Sequence, residues 1–222
     1  MNRQAVIKSI EENKIIVILR GLDREALIKS VAAMNEGGIR LFEVTFNASG
    51  VPADEEVGKS IRILADTYRG RCHIGAGTVL TPRQAEIAAA AGAEYIISPD
   101  TNPDVIGKTR ELGLVSIPGA MTPSEATLAH RSGADFVKLF PNGAFSPSYL
   151  RAVAVPLSHI RFLAVGGVNE YNVAEYLAAG AVGIGVSAGI VNKQMIAAGD
   201  WAGLSQLAKA YTSAIAAASA GH

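Results

Sequence analysis

The sequence alternates eight times between short apolar segments and segments with helical periodicity. Continuous apolar segments between amphipathic helices are typical of strands buried in a parallel sheet. The predicted strands are Ile15–Arg20, Leu41–Phe46, Cys72–Thr78, Tyr95–Pro99, Leu114–Pro118, Phe136–Phe140, Arg161–Gly166 and Gly183–Ser187. The predicted helices are residues 2–13, Arg24–Glu36, Asp54–Tyr68, Pro82–Ala91, Pro103–Leu112, Pro123–Ser132, Pro147–Val153, Glu170–Ala179 and Trp201–Ala217.

Both ends of the predicted helices are marked by residues that favour such boundaries. Four helix starts place a capping side chain before a proline at the first helical position. They are Thr81-Pro82, Asn102-Pro103, Thr122-Pro123 and Ser146-Pro147. Glycines at the opposite ends are the expected helix stops. Eight such units in 222 residues favour a (β/α)8 TIM barrel with a short N-terminal helix, formed by a single domain over residues 1–222.

Composition excludes several classes of partner. Lysine plus arginine equals aspartate plus glutamate at 20 each, so no overall charge favours nucleic acid or an acidic membrane. The only cysteine, Cys72, excludes an internal disulfide and fits a reducing compartment. The first residues lack the apolar core of a signal peptide, and no apolar run is long enough to span a bilayer. We therefore expect a cytoplasmic protein that acts on a small molecule, with no nucleic acid or membrane partner.

Lys138 is the one lysine that falls inside a predicted strand. Alternation along this strand places Phe136, Lys138 and Phe140 on one face. Desolvation among apolar neighbours lowers the pKa of an amine, and a neutral amine is a nucleophile that can form a Schiff base. The strand alone equally allows a lysine whose stem lies on apolar surface while its charge remains in water.

Glu43 is the one carboxylate inside a predicted strand, and a buried glutamate with a raised pKa suits general acid/base catalysis. Even-numbered strands of a barrel supply the same layer of side chains, so Glu43 on the second strand and Lys138 on the sixth can meet. The pair could serve imine chemistry, or it could be a structural ion pair.

Several other residues near the carboxyl ends of the strands could bind a ligand, because this end of a barrel holds the active site. Arg20 ends the first strand and could bind a carboxylate or phosphate, or lie on the surface. Thr78 ends the third strand and offers a hydroxyl group. Gly166, Gly167, Gly185 and Ser187 lie where such barrels bind phosphate, which favours a phosphate or carboxylate ligand there.

The four histidines show no metal-binding spacing, so we expect no metal and no cofactor. Cys72 begins the third strand, away from the active end, and is expected to be a core residue.

Six segments, in this order and spacing, resemble the KDPG/KHG aldolase family from about Ile15 to Ile190. They are Glu43-Val44-Thr45, Gly75–Leu80, Ile97-Ser98-Pro99, Ile117-Pro118-Gly119, Phe136–Pro141 and Gly166-Gly167-Val168. Members are class I aldolases of 2-keto-3-deoxy-6-phosphogluconate and 4-hydroxy-2-oxoglutarate. The resemblance implies a homotrimer that needs no metal.

The resemblance also implies roles for individual residues. Lys138 would form the imine with pyruvate, and Glu43 would shuttle protons through a bound water. Thr78, Phe140 and Pro99 would belong to the substrate site. The phosphate-binding positions of the family match Gly166, Gly167, Gly185 and Ser187.

Two departures resemble the 2-keto-3-deoxy-6-phosphogalactonate branch of the family. Asn47 stands where the phosphogluconate enzymes have an arginine, and Val165 stands where they usually have a threonine. Asparagine lacks the positive charge, so Arg20 is expected to contact the substrate carboxylate. The segment Ala48–Glu56 would reshape the aldehyde end of the site for a different sugar acid.

The expected function is cleavage of a 2-keto-3-deoxy-6-phospho sugar acid to pyruvate and glyceraldehyde 3-phosphate. One alternative is an aldolase of 4-hydroxy-2-oxoglutarate or another sugar acid. Others are a phosphate-binding barrel isomerase or synthase without a Schiff base, and a sugar-phosphate-binding protein without turnover.

Overall fold

Parallel strands and helices alternate along the chain in a computed structural model that describes residues 3–144 and 146–220. Within this range there are nine strands, paired in the order β5-β4-β3-β2-β1-β9-β8-β7-β6. They are β1 (Ile15–Leu19), β2 (Leu41–Thr45), β3 (His73–Gly77), β4 (Tyr95–Ile97), β5 (Val115–Ile117), β6 (Gly119–Ala120), β7 (Val137–Leu139), β8 (Phe162–Val165) and β9 (Ala181–Val186). The predicted (β/α)8 barrel is confirmed.

The fifth strand of the barrel is divided at Pro118 into β5 and β6, whereas the sequence predicted one strand, Leu114–Pro118. β5 pairs with β4, and β6 pairs with β7. Proline has no backbone N–H to donate, so the ladder is interrupted there. Its carbonyl still accepts a hydrogen bond of 2.9 Å from the backbone N–H of Lys138. Only Pro118 separates the two ends of the strand order, so the sheet curls into a barrel.

Helices follow the strands as predicted, with local differences. They are α1 (Arg3–Asn13), α2 (Arg24–Glu36), α3 (Asp54–Thr67), α4 (Pro82–Ala90), α5 (Pro103–Glu111), α6 (Pro123–Arg131), α7 (Pro147–Ala154), α8 (Val173–Ala178), α9 (Lys193–Ala198) and α10 (Trp201–Ala220), with a short 3-10 helix at Asn142–Ala144. Among the described helices none is both long and apolar enough to cross a membrane.

Three of the four predicted caps form. Thr81, Asn102 and Thr122 each accept a backbone N–H of the following helix, and Thr122 forms a full capping box with Glu125. The prediction for Ser146 was wrong, because its hydroxyl pairs with that of Ser148 at 2.6 Å and makes no cap.

The helix predicted over Glu170–Ala179 begins only at Val173. The preceding residues form a turn in which the Asn169 side chain accepts the backbone N–H groups of Tyr171 and Asn172. Asn169 also lines the cavity that Lys138 and Glu43 face.

Two apolar layers lie on either side of the barrel wall. Phe136 belongs to the inner cluster and Phe140 packs against it, whereas Val137 and Leu139 lie in the outer layer beneath the helices. The predicted alternation of this strand is therefore confirmed.

Helix α1 covers the amino-terminal end of the barrel. Its Val6, Ile7 and Ile10 side chains join the inner cluster. Its Glu11 accepts a hydrogen bond of 2.9 Å from Arg161, which stacks on Phe136 with 4.5 Å between the guanidinium carbon and the ring centroid. With this end covered, access to the interior is from the carboxyl ends of the strands.

Candidate active site

Lys138 and Glu43 face one cavity of about 430 Å³. Arg20, Phe140, Gly166, Gly167, Gly185 and Ser187 also line it. Eight of the residues that line this cavity were therefore predicted for the site from the sequence, and a ninth, Val165, was noted there as a departure from the family. These residues come from β1, β2, β7, β8, β9 and the loops that follow them, as expected for the catalytic end of a barrel.

Glu43 occupies an inward position on β2 and is only 1% exposed. Its carboxyl lies over Gly77 of β3, where an added Cβ would be 1.5 Å from Oε1. Oε2 is buried and has no hydrogen-bond partner among residues 3–144 and 146–220. Burial raises the pKa of Glu43, and the charges of Lys138 and Arg20 oppose the increase. The result is a carboxyl whose pKa lies above its ordinary value, as a group that both accepts and returns a proton requires.

Lys138 is 7% exposed, which does not fit an amine that reaches into bulk water. Its Nζ lies 4.5 Å from the centroid of the Phe140 ring. Burial lowers the pKa of Lys138, while the negative charge of Glu43 opposes the decrease and the positive charge of Arg20 adds to it. A larger fraction of the amine is therefore neutral than at an exposed lysine.

Lys138 and Glu43 do not form one of the ion pairs found among the described residues. Each charge nevertheless affects the pKa of the other. The two groups are therefore electrostatically coupled without being joined in an ion pair.

Thr78 is not among the residues that line the cavity, so its substrate contact stays a prediction. Its backbone has a conformation that β-branched residues seldom adopt. Its φ is 56°, in the left-handed region, and such strain costs on the order of 1 to 3 kcal/mol. Its hydroxyl accepts a hydrogen bond of 3.0 Å from Nη2 of Arg20. The strained residue thus fixes the orientation of the guanidinium group, which lines the cavity.

The predicted phosphate-binding residues all line this cavity. Gly166 and Gly167 have φ values of 97° and 73°, which side chains rarely tolerate. Gly185 allows close packing, because an added Cβ would lie 2.8 Å from a methyl group of Val165. The Ser187 hydroxyl donates to the carbonyl of Ile18 at 3.1 Å. Backbone N–H groups in such a glycine-rich wall can bind an anion.

Asn47 and Pro99 are not among the residues that line the main cavity. The Asn47 amide donates to the carbonyl of Val51 at 2.7 Å, and its Oδ1 accepts from Ser49 at 3.1 Å. It lines a second cavity, of about 220 Å³, which shares Arg20 with the first. The Pro99 carbonyl packs against Gly119, where an added Cβ would lie 2.3 Å from it. Substrate contacts by these two residues stay predictions.

Sequence reasoning missed six wall residues of the cavity: Ile18, Val168, Asn169, Val186, Ala188 and Gly189. Ile18 lies on β1, and the other five follow or adjoin predicted phosphate-binding positions near the ends of β8 and β9. Their closeness in the sequence to predicted site residues was the available signal. Their residue types alone did not mark them as site residues.

His73, His130, His159 and Cys72 make contacts outside the cavity, and the fourth histidine, His222, lies outside the described residues. His73 pairs with Glu94, and His130 packs edge-on against His159 with 4.9 Å between ring centroids. Burial raises the pKa of the Cys72 thiol to about 11, so it remains protonated. Residues 3–144 and 146–220 contain no group of three or more His, Cys, Asp or Glu side chains that could hold a metal ion.

We predict that Gly77→Ala destabilises the protein and displaces Glu43, because the new methyl group would overlap the carboxyl. Overpacking of this kind costs about 1 to 3 kcal/mol. Gly107→Ala is the matched control, since its added Cβ meets nothing within 4 Å in helix α5. Urea unfolding should show a loss of stability for Gly77→Ala and a gain of about 0.5 to 1 kcal/mol for Gly107→Ala. Equal stabilities of the two variants would contradict the packing seen here.

Together, the fold and the site define a (β/α)8-barrel enzyme with a buried amine and a buried carboxyl facing one cavity. Comparison with known proteins then identifies the family. The family profile described as KDPG and KHG aldolase matches residues 6–207. The chain belongs to the KDPG and KHG aldolase family and is therefore an aldolase, a lyase.

Individual relatives agree with this assignment. The 2-dehydro-3-deoxy-6-phosphogalactonate aldolase of Escherichia coli K12 is 36% identical over 173 residues, covering 78% of this chain and 82% of the relative. A native KDPGal structure has a TM-score of 0.83 and 33% identity, covering 93% of this chain and 96% of the other. The structure of the KDPG aldolase of Legionella pneumophila, with pyruvate captured as a covalent carbinolamine, has a TM-score of 0.82 and 27% identity. The match covers 95% of this chain and 98% of the other.

Proposed function

We propose that this aldolase cleaves a 2-keto-3-deoxy-6-phospho sugar acid, phosphogalactonate or phosphogluconate, to pyruvate and glyceraldehyde 3-phosphate through a Schiff base on Lys138. The main support is the burial of Lys138 in the same cavity as Glu43, with its pKa lowered. The carbinolamine of the Legionella relative supports covalent chemistry at an amine.

In the proposed mechanism, neutral Nζ of Lys138 attacks the C2 ketone to form a carbinolamine, which takes up a proton and loses water to give an iminium ion. Glu43 takes the proton of the C4 hydroxyl group, directly or through a water. The C3–C4 bond then breaks, its electron pair moves into the iminium to form an enamine, and the aldehyde leaves. Glu43 returns the proton to C3, and water hydrolyses the imine to release pyruvate and free Lys138.

In this proposal, the other residues at the site contact different parts of the substrate. Arg20, oriented by Thr78, contacts the carboxylate, since a guanidinium group offers paired donors to it. Phe140 packs against the pyruvate portion. The backbone around Gly166, Gly167 and Gly185, with Ser187, receives the phosphate. Asn47 and the Ala48–Glu56 segment then influence the aldehyde end indirectly, from the second cavity.

The test is pyruvate release from phosphogalactonate, phosphogluconate and 4-hydroxy-2-oxoglutarate substrates, measured side by side. We expect the two phosphorylated substrates to exceed hydroxyoxoglutarate in kcat/KM, because only they reach the glycine-rich wall. Preference for hydroxyoxoglutarate would replace the proposed substrate while keeping the mechanism. No pyruvate from any of the three would contradict the proposed function.

We also propose that the enzyme acts as a homotrimer in the cytoplasm. The trimer is carried over from the family resemblance, and the single, protonated thiol of Cys72 is compatible with a reducing compartment. Light scattering on the purified protein measures the oligomeric state.

A further inference from the structure

Tyr95 lies in the same inward-facing row of the barrel as Glu43. Glu43 of β2 pairs with Gly75 of β3, and Ala76 pairs with Ile96 of β4, so Gly75 is level with Tyr95. The tyrosine is completely buried in the inner cluster. Sequence reasoning treated it only as the start of a strand.

Two glycines on β3 bring the side chains of Tyr95 and Glu43 close together. An added Cβ on Gly75 would lie 2.2 Å from Cε2 and 2.5 Å from Cζ of Tyr95, so the ring covers Gly75 and extends toward β2. The carboxyl of Glu43 covers Gly77, the next inward position on the same strand. Successive inward positions on a strand are about 6 to 7 Å apart. The two side chains thus cover neighbouring inward positions, and the charge of Glu43 affects the pKa of Tyr95. One water can join two oxygen atoms that are about 5 to 6 Å apart.

Both side chains also have polar atoms that need a partner. The Tyr95 hydroxyl and Oε2 of Glu43 are buried and make no hydrogen bond within the described part of the chain. Such atoms are costly unless they are paired or bridged by internal water. Burial raises the pKa of Tyr95 well above its ordinary value, and the charge of Glu43 adds to the increase. The phenol therefore remains protonated and available as a donor throughout the neutral range.

We propose that Tyr95 is a positioning residue for Glu43, its hydroxyl donating through one internal water to Oε2 of the carboxylate. This inference rests on the proposed function. It means that the carboxyl of Glu43 is held in one geometry for proton transfer and that its charged form is stabilised. Tyr95 itself does not touch the substrate, because it is not among the residues that line the cavity.

The expected consequence of removing the hydroxyl group is a defect in proton transfer with imine formation preserved. A hydrogen bond to the charged form of a carboxyl stabilises that form. In Tyr95→Phe the pKa of Glu43 therefore rises further, and the acidic limb of the activity profile moves to higher pH. Loss of a hydrogen bond to a charged group should slow the proton-transfer step by about tenfold.

The experiment follows deuterium exchange into the methyl group of pyruvate by NMR, across a pH series, in the wild type, Tyr95→Phe and Tyr68→Phe. Tyr68 is the matched control, because its hydroxyl donates to the carbonyl of Ile28 at 3.1 Å, outside the barrel interior. We expect slower exchange and a shifted acidic limb only in Tyr95→Phe. Borohydride trapping with pyruvate should persist in all three proteins. A purely structural role would lower the melting temperature without moving the limb.

An unchanged limb in Tyr95→Phe, with exchange within about twofold of the wild type, would overturn the proposal. The two failures can be told apart in the wild type. If only the role of Tyr95 is wrong, the wild type still exchanges deuterium into pyruvate and is trapped by borohydride. If the proposed function is wrong, the wild type does neither. A high-resolution crystal structure of the wild type tests the proposal without relying on the folding of a variant. Density for a water, or a direct bond, between the two oxygens supports the proposal, and another protein group holding Oε2 contradicts it.

Discussion

Lys138→Ala is expected to abolish borohydride trapping of pyruvate and to reduce kcat by at least about 10³-fold. In the wild type, reduction of the imine should modify position 138 and block tryptic cleavage after that residue. The effect is large because the neutral amine makes the covalent bond on which every later step depends. Mass spectrometry of the digested protein measures trapping, and pyruvate release measures kcat.

Lys138→Arg is the control that separates covalent from electrostatic roles. It keeps a positive charge opposite Glu43, but a guanidinium group stays protonated and forms no imine. We expect it to be as inactive as Lys138→Ala. Substantial activity in Lys138→Arg would instead favour a mechanism without a Schiff base, in which the lysine acts by charge alone. Activity that survives Lys138→Ala, or that EDTA abolishes, would contradict the mechanism.

Much of the barrel could be predicted because local signals and global topology agree. Pro82, Pro103, Pro123 and Pro147 each begin a helix as the sequence indicated. The missed helix, Lys193–Ala198, has no buried residue, so no apolar periodicity marked it. Its available signals were the cap at Asn192 and the left-handed Gly199 at its end. Signals from so short a segment are easily mistaken for those of a turn.

The site was predictable where one residue stands out chemically within its own strand. Lys138 and Glu43 are charges inside apolar runs, so their burial and their shared cavity follow from strand alternation and barrel order. Asn47 could not be placed in this way. Its amide is satisfied by Ser49 and Val51 in a local turn, and an asparagine has the same sequence signature whether it binds a ligand or its own loop.

Tyr95 shows a different limit of sequence reasoning. A tyrosine at the start of a buried strand reads as a core residue, and its ring is one. Its relation to Glu43 depends on Gly75 and Gly77 in the intervening strand, which leave space for the ring and the carboxyl. Such a relation crosses three strands, and it appears only when the register between them is known.

Glu43→Gln is expected to lower kcat by about 10² to 10⁴-fold, the usual contribution of a general acid/base group. The amide keeps the shape of the side chain but cannot accept the hydroxyl proton. Residual borohydride trapping with pyruvate should remain, because Lys138 is intact. Steady-state pyruvate release and mass spectrometry measure these two results separately.

The pH dependence of this variant provides the sharper test. In the wild type the acidic limb reflects protonation of both Glu43, whose pKa is raised, and Lys138, whose pKa is lowered. The two groups titrate as a coupled pair. In Glu43→Gln one titrating group is gone, and the negative charge that opposed the lowering of the Lys138 pKa is gone as well. That pKa falls further, so the acidic limb of the residual activity should move to lower pH.

Glu43→Asp is the control for this shift, since it retains the charge while shortening the side chain. Its limb should remain closer to that of the wild type even though its kcat falls, because Lys138 still experiences a negative charge. A limb that moves to higher pH in Glu43→Gln would show that the carboxylate does not support the charged form of Lys138. The two groups would then act independently, and the coupling that makes this cavity suited to imine chemistry would be absent.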